Sequence, residues 1–564
     1  MLNKSARPWI PWSRINNAVP NRERVPVPAY PGDPPAPDSS ARTTDSATTW
    51  RVVGGGRERF GPWLAPALVV ALTIVVFLPA LRNDFVSWDD PKNFLDNPDY
   101  RGLGPHQLTW MFTSFHMGHY IPVTWISLAL DYLIWGMNPV GYHLDAVLIH
   151  AGTGLALYFL SLRLLGLALP DTTEGARKIG ALAAALVFAV HPLRVESVAW
   201  VTERRDVVSG LFYVLAALAY LKAVEGAERP RRRWYWGSVG LFACALLSKS
   251  IAVSLPIALL VMDVYPLRRL GGKWGWRRWA VWLEKLPYLL LGAAAALVSF
   301  FALFTLGNTR PLAEMGMLYR ALLCVYGLAF YLFKTVMPIG LSPLYQLPVE
   351  VTWLHFATML GVLTVALLMR CRWPGFAAAA LVYAATLFPV LGTFQNGPQA
   401  AADRYTYHAC LGWAVLVGGL CARSWRGRDV TRVVVAVWIG ALLPLTWQQI
   451  GIWHDSVALW SRAVAISPES RASHFNLAGA YENGEQYAAA VSHYEEVARL
   501  SGQKARWYIT IGWNYEKAKV DRLALEAFHK ALALEAGLPD ACEGVIRAAG
   551  RIGVPPELPA ACAR

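Results

Sequence analysis

Between Trp63 and about Trp447 the chain is an almost unbroken series of apolar runs, and no other feature narrows its fold as much. A helix that crosses a bilayer needs about 20 predominantly apolar residues. Thirteen stretches approach that length: 63–81, 120–137, 142–164, 179–192, 207–223, 234–250, 251–266, 286–306, 317–337, 353–370, 375–392, 407–422 and 432–448. Over the 564 residues, 55% are hydrophobic and 16% charged, whereas soluble domains carry about 25% charged residues. The chain reads as an all-α, polytopic membrane helix bundle with polar appendages.

The formal charge of +14 does not point to nucleic acid. The basic residues sit in short clusters beside apolar runs, the pattern that orients membrane helices. If all thirteen runs cross, RPRRR (229–233) and RRLGGKWGWRR (268–278) fall outside, against the positive-inside rule. The conflict disappears if 120–137, which contains Asp131, does not cross. A second non-crossing element at 317–337, carrying Arg320 and Lys334, brings Arg370, Arg372 and 423–432 inside as well. About eleven spans remain, with the N-terminus cytoplasmic and the C-terminus outside. The loops 82–141, 191–206 and 393–406 then share the outer face.

The first 60 residues are rich in Pro, Arg and Ser and show no cleavable signal; they read as a disordered cytoplasmic tail. Seven cysteines are scattered without a CxxC or paired spacing, which argues against both a zinc site and a disulfide framework. GxGxxG after a strand, Walker A, HExxH and GxSxG are all missing from the sequence, so nucleotide-driven pumping is disfavoured. No metal and no cofactor is expected.

After residue 449 the composition changes. HFNLAGAYENGEQYAAAVSHYEEVA (474–498) aligns with YITIGWNYEKAKVDRLALEAFHKAL (508–532) at a shift of 34 residues, the tetratricopeptide period. Leu477, Tyr481, Ala490 and Tyr494 match Ile511, Tyr515, Ala524 and Phe528, and Trp460, Ala463 and Pro468 fit a preceding half repeat. The expected organisation is a tail at 1–60, a transmembrane domain at 61–448, a short tetratricopeptide α-solenoid at 449–540 and a C-terminal tail at 541–564.

Three polar clusters stand out against this background. FVSWDDPKNFLDNPDY (85–100) puts Asp89 and Asp90 just past the first spanning helix. A hydroxyl attacking an activated sugar needs a base, and a carboxylate serves in inverting transfer; the ordinary alternative is a solvated turn before Pro91. HPLRVESVAWVTERRD (191–206) holds His191, Glu196, Glu203, Arg204, Arg205 and Asp206 between two apolar runs. Its arginines suit a phosphate leaving group, because guanidinium matches phosphate in a planar fork, and Glu196 and His191 suit an acceptor or a sugar hydroxyl. Helix-end charges in a solvated loop are the alternative there. Asp403, Arg404 and Tyr405 precede the run at 407–422, where a juxtamembrane anchor is the alternative. Lys249 lies between two apolar segments, a functional candidate at membrane depth.

In this order the pieces resemble the transmembrane and tetratricopeptide-repeat O-mannosyltransferase family and its bacterial relatives, within the GT-C glycosyltransferases. The matching pieces are WDD with Asn97 (88–97), YIPVTWISLALDYLIWGMNPVGYHLDAVLIH (120–150), HPLRVESVAWVTERRDVVSGLF (191–212), SKSIAVSLPIALLVMD (248–263), DRYTYHACLGW (403–413) and the C-terminal repeats. They span most of residues 63–535. The resemblance implies a GT-C-type bundle and a polyprenyl-phosphate donor carrying mannose or a similar sugar. It also implies inverting transfer at the outer face to a hydroxyl, on a protein or peptide held by the repeats. By the same analogy Asp89 or Asp90 is the catalytic base. Arg204, Arg404 and Lys249 bind the donor phosphate, and His191, Glu196, Asp206, Asp403 and Tyr405 shape the pocket. The expected location is the inner membrane, with the repeats periplasmic.

A reading from a different class is a non-catalytic membrane scaffold that recruits envelope proteins through its repeats. A scaffold tolerates loss of Asp89 and Asp90; a transferase does not. A transporter ranks lowest, because it wants ionisable residues deep in several helices and these charges gather at one boundary.

Overall fold

The computed structural model describes residue 61 and residues 63–563, apart from 226–227, 272–274, 306–315, 348–349, 393–398 and 424–428. The expectation for 1–60 lies outside the described residues, as does part of the 393–406 loop. The described chain is helical almost throughout, with one two-stranded antiparallel pair, Tyr345–Gln346 against Gln399–Ala401.

Six helices are long and apolar enough to cross a membrane: Leu64–Arg82, Pro139–Ala168, Val201–Glu225, Trp279–Ala302, Met317–Val336 and Val430–Ile452. Two bent pairs, Glu174–Ala189 with Pro192–Ala199 and Asp403–Ala409 with Leu411–Ala422, raise the number to eight if each is one broken span. This architecture fits a multi-pass membrane protein, but with fewer spans among the described residues than the eleven expected. The difference has a physical cause. Apolar runs that look sufficient in sequence fold into short helices, such as Ser250–Val264 and Trp353–Met369. At 1.5 Å per residue, 17 residues reach only about 25 Å of a core near 30 Å. The run at 234–250 belongs to Glu228–Leu246, whose first turns carry Arg231, Arg232 and Arg233. In the other direction, Met317–Val336 qualifies as a span although its run was expected not to cross. Arg320 and Lys334 sit near its two ends and leave the middle apolar, and Lys334 Nζ donates to the Ile339 and Gly340 carbonyls. Pro122–Trp135, only 14 residues long, is too short to cross.

The bent pairs explain how polar loops end up inside the protein. Glu174–Ala189 and Leu411–Ala422 cross at Gly180 and Gly418, where a methyl group on Gly180 would lie 2.5 Å from the Gly418 carbonyl oxygen. Small residues permit such close backbone approach between membrane helices. The bends of 55° and 57° then carry residues 192–199 and 403–409 across the end of the bundle, where all but the half-buried Tyr405 are buried.

Beyond Ile452 the chain continues as helices Ser456–Ile466, Arg471–Asn483, Tyr487–Leu500, Ala505–Lys517, Asp521–Leu534 and Pro539–Ile552. Of the eight positions matched by the 34-residue shift, Leu477, Ala490, Tyr494, Ile511, Ala524 and Phe528 are buried, and Tyr481 and Tyr515 are half-buried. Gly512 and Gly544 both lie against the Phe528 ring, where a methyl group on either would come within 2.6 Å of its carbons. Each helix pair buries its apolar face on its neighbour, as a solenoid requires. One cysteine expectation is overturned here: Cys542 and Cys562 form a disulfide, Cα–Cα 5.8 Å. The helix stops at Gly553 in the left-handed conformation (φ 72°), and the following tail folds back to the first turn of the same helix. That return, and no spacing motif, pairs the two cysteines.

Candidate active site

Residues 83–90, 191–206, 247–254 and 403–406 meet at one end of the bundle, and the two adjacent aspartates have opposite surroundings there. Asp90 is fully buried. Its Oδ1 accepts from the Trp200 indole N–H (2.9 Å), the Thr202 hydroxyl (2.6 Å) and the Thr202 backbone N–H (3.2 Å), and its Oδ2 accepts from Val86 N–H (2.9 Å). Burial pushes its carboxyl up to about 7, against the pull of the hydrogen bonds from Thr202 and Val86. Asp89 is half-buried, and its carboxylate accepts no hydrogen bond among the described residues. Burial raises its pKa, while the Arg205 and Arg404 charges draw it down. A saturated carboxylate holds structure; an open one facing cations has the requirements of a base.

Glu203 is the hub of the second layer. Arg205 grips it with two bonds, Nε to Oε2 (3.1 Å) and Nη2 to Oε1 (2.5 Å). Lys249 Nζ reaches Glu203 Oε2 at 2.7 Å and Asp206 Oδ1 at 2.8 Å, and Arg404 Nε lies 3.1 Å from Glu203 Oε1. Glu196 takes the Arg404 backbone N–H at 2.9 Å and also pairs with its Nη1. Ser197 donates to Asp206 Oδ2 (3.1 Å), and Tyr345 donates to Asp403 Oδ1 (2.9 Å). Tyr405 is half-buried, with the Arg404 guanidinium 5.1 Å from its ring centre.

The carboxylates orient these cations without using all their donors. Among the described residues Arg205 Nη1 and one Lys249 ammonium hydrogen have no partner, and the two side chains stay 10% and 13% exposed. Arg404 is 9% exposed, whereas Arg204 is fully enclosed. Arg204, expected beside the donor phosphate, lies apart from this group. It pairs with Asp131 Oδ2 at 2.7 Å and donates to Ser127 Oγ and the Tyr142 carbonyl. His191 also lies apart: its Nε2–H donates to the Thr335 carbonyl (2.9 Å), and its Nδ1 caps Leu193 N–H (3.2 Å). Glu196, Asp206, Lys249 and Arg404 do come together.

Sequence reasoning gave no site role to Glu203, Trp88, Trp200 or His119. Glu203 was legible as part of ERRD; the two tryptophans carried no signal beyond their neighbours. His119 has an exposed ring in the same cleft. The helix after it is pinned beside Lys249, through Val123 N–H to the Leu247 carbonyl (3.2 Å) and Thr124 Oγ to the Ser248 carbonyl (3.1 Å). Among the described residues no group of three or more His, Cys, Asp or Glu side chains has a metal-binding arrangement.

An apolar cavity runs along the bundle, with none of the cleft's charged residues in its lining. It begins at Leu255 and Leu411, a few residues past Lys249 and Arg404, passes Val214 and Ala258, and ends at Tyr265 and Arg423. Its walls suit a hydrocarbon chain.

Fold and site together define a polytopic helical membrane protein with a charged, half-open cleft at one end of its bundle and a tetratricopeptide array joined to it. No family model matches the chain. It is 33% identical over 221 residues to mouse (Mus musculus) protein O-mannosyl-transferase TMTC2, covering 37% of this chain and 25% of that protein. With human (Homo sapiens) protein O-mannosyl-transferase TMTC4 the identity is 30% over 220 residues, covering 36% and 29%. With human protein O-mannosyl-transferase TMTC1 it is 24% over 533 residues, covering 80% and 58%. The chain thus resembles the TMTC protein O-mannosyl-transferases, and the matched stretches span from a quarter to under three fifths of those relatives' own lengths. Among solved structures, a chain of the crystal structure of APC/C hetero-tetramer Cut9-Hcn1 covers 81% of this chain at 14% identity with a TM-score of 0.19, too low to bear on fold or function.

Proposed function

We propose that the chain is an inverting glycosyltransferase that moves mannose, or a similar sugar, from a polyprenyl-phosphate donor to a hydroxyl on a protein or peptide. The observation that carries this reading is the contrast within the aspartate pair: Asp90 is saturated, whereas Asp89 is open and faces Arg205 and Arg404. Asp89 takes the proton of the acceptor hydroxyl as that oxygen attacks the anomeric carbon from the face opposite the phosphate. The bond from that carbon to the phosphate oxygen breaks, and the polyprenyl phosphate leaves with the electron pair. Arg205 Nη1 and the spare Lys249 N–H receive the leaving charge, and Arg404 stands beside them, held in place beforehand by Glu203 and Glu196. The prenyl chain lies in the cavity between Leu255 and Arg423. The names of the relatives support mannosyl transfer to protein, and the array supplies a surface for an acceptor.

The site and the repeats are read as facing the outer side of an inner membrane. The Cys542–Cys562 disulfide supports that side, since disulfides persist in oxidising compartments. The test is transfer by purified protein in lipid, with radiolabelled polyprenyl-phosphate mannose and a Ser/Thr-containing peptide. Asp89→Asn should abolish product while the protein stays folded. Equal activity in wild type and Asp89→Asn, or none with any donor sugar, would favour the non-catalytic scaffold.

A further inference from the structure

Trp88, the residue before Asp89, sits in a stack of indoles drawn from three parts of the chain. Its ring lies 4.8 Å from Trp200 at an interplanar angle of 20° and 6.5 Å from Trp453 at 6°, and the Trp460 ring closes on it from 5.0 Å, tilted at 53°. Trp200 and Trp453 stack on each other at 5.4 Å. Trp453 directly follows the membrane helix Val430–Ile452, and Trp460 belongs to Ser456–Ile466, the helix that opens the repeats. Both are buried.

Hydrogen bonds reinforce the stack along the same strip. Asp84 N–H donates to the His454 carbonyl (2.8 Å), Ser87 N–H to Ser456 Oγ (2.8 Å), and Asn83 Nδ2 to the Ile450 carbonyl (3.4 Å). The loop that carries Asp89 is therefore hung on residues 450–460. On the other side, the Arg404 guanidinium lies 5.9 Å from the Trp88 ring centre and 5.4 Å from that of Trp200. One aromatic stack thus supports both the open carboxylate and a cation of the cleft. Stacked indoles fix each other's tilt, and a misplacement of about 1 Å in a reacting group costs on the order of 100-fold in rate.

We infer that the opening helix of the repeats is a working part of the catalytic site, with Trp460 and Ser456 acting as positioning residues for Asp89 and Arg404. The array is then more than a tethered recruiting module. An acceptor that shifts Ser456–Ile466 when it docks in the repeats alters the rate of chemistry as well as local acceptor concentration. The kinetic consequence rests on the transfer reading above; the structural coupling does not.

The test uses the full-length protein in lipid nanodiscs and compares wild type with Trp460→Ala, Trp460→Phe, Ser456→Ala and Asp89→Asn. Three readouts are taken: hydrogen exchange of the segment 83–95, near-UV circular dichroism of the coupled indoles, and transfer from polyprenyl-phosphate mannose to a short Ser/Thr peptide. Trp460→Ala should speed exchange of the Ser87 amide by about 10-fold or more and weaken the indole signal. It should lower kcat by roughly 10- to 100-fold with donor KM within about two-fold. Trp460→Phe should restore most of the rate, and Ser456→Ala, which removes the Ser87 acceptor, should speed exchange of that amide directly while lowering the rate by a smaller factor. Unchanged exchange and dichroism, or a loss confined to acceptor KM, would overturn the coupling. If wild type and Asp89→Asn are equally inactive, the transfer reading fails, and exchange and dichroism still decide the coupling. Where Trp460→Ala does not fold, Trp460→Phe and Ser456→Ala give the same two readouts.

Discussion

The Trp200 indole donates to Asp90 Oδ1 at 2.9 Å, and that bond sets Asp90 apart from its neighbour Asp89, whose carboxylate accepts none among the described residues. Four donors converge on the Asp90 carboxylate inside the protein. An asparagine there turns an NH2 group against donors and leaves one acceptor oxygen. Leaving buried polar groups unmatched costs about 1–3 kcal/mol each, so Asp90→Asn should destabilise the fold by about 3 kcal/mol. Thermal unfolding in detergent should show that loss for Asp90→Asn and almost none for Asp89→Asn. An Asp90→Asn protein as stable as wild type would mean that the loop does not depend on this carboxylate.

Activity should carry the signature of Asp89 in its pH dependence. The base must be ionised, and burial raises its pKa above the ordinary aspartate value while Arg205 and Arg404 restrain the rise. The acid limb of kcat/KM should therefore fall above about 4, the usual aspartate range, with activity lost as pH drops through it. Arg205→Gln removes the larger restraining charge, so its limb should move to higher pH whatever its absolute rate. A profile identical in shape to wild type would separate Arg205 from the base.

Arg204 and Arg205 are neighbours in sequence with unlike environments, which yields a paired prediction. Arg204→Ala leaves Asp131 buried without its partner, a change that costs about 3–5 kcal/mol. Folded protein should fall sharply, and Arg204→Met with Asp131→Met should recover much of it. Arg205→Ala should keep the protein folded and depress transfer. The measurement is folded yield by size-exclusion chromatography beside initial transfer rate; the reverse pattern would restore Arg204 to the phosphate.

That pair also shows what the sequence made legible. ERRD marks a charged end between two apolar runs, and the 34-residue period marks the solenoid, because both are local patterns. Which arginine faces the cleft depends on partners elsewhere in the chain, Asp131 for one and Glu203 with Lys249 for the other. Successive residues on a helix point about 100° apart, so adjacency says little about direction. Trp88 and Trp460 are joined only by the fold. Fewer spans qualify among the described residues than the runs suggested for a related reason: hydropathy measures the length of a run but not the short helices it folds into, such as Ser250–Val264.

The first repeat contains a proton-sensitive contact. His474 donates Nε2–H to the Pro468 carbonyl (2.9 Å), so its Nδ1 accepts from His493 Nδ1–H at 3.0 Å. Burial, then the neighbouring His474, lowers the His493 pKa. A histidine with a lowered folded pKa contributes stability that is complete above its unfolded value near 6.5 and is lost as pH falls through the lowered value. Unfolding of the repeats should therefore shift to lower temperature between pH 7.5 and pH 5, and His493→Gln should flatten the shift. A wild-type curve no steeper than that of His493→Gln would remove this pair from the account.

The Cys542–Cys562 bond joins residues 20 apart and ties the tail to the last repeat helix. Closing a loop of that size stabilises the folded state by about 3 kcal/mol through the unfolded chain. Cys562→Ser, or reduction of the purified protein, should lower the unfolding temperature of the repeats and leave the membrane helices, which contain neither cysteine, unaffected. The same bond reports orientation in cells. If the repeats face an oxidising compartment, alkylation of the denatured protein without reductant should leave Cys542 and Cys562 unlabelled, and labelling should appear only after reduction. Full labelling without reductant would place the repeats in a reducing compartment. Because the stack of Trp88, Trp453 and Trp460 binds the repeats to the cleft, the charged site would have to move to that side with them.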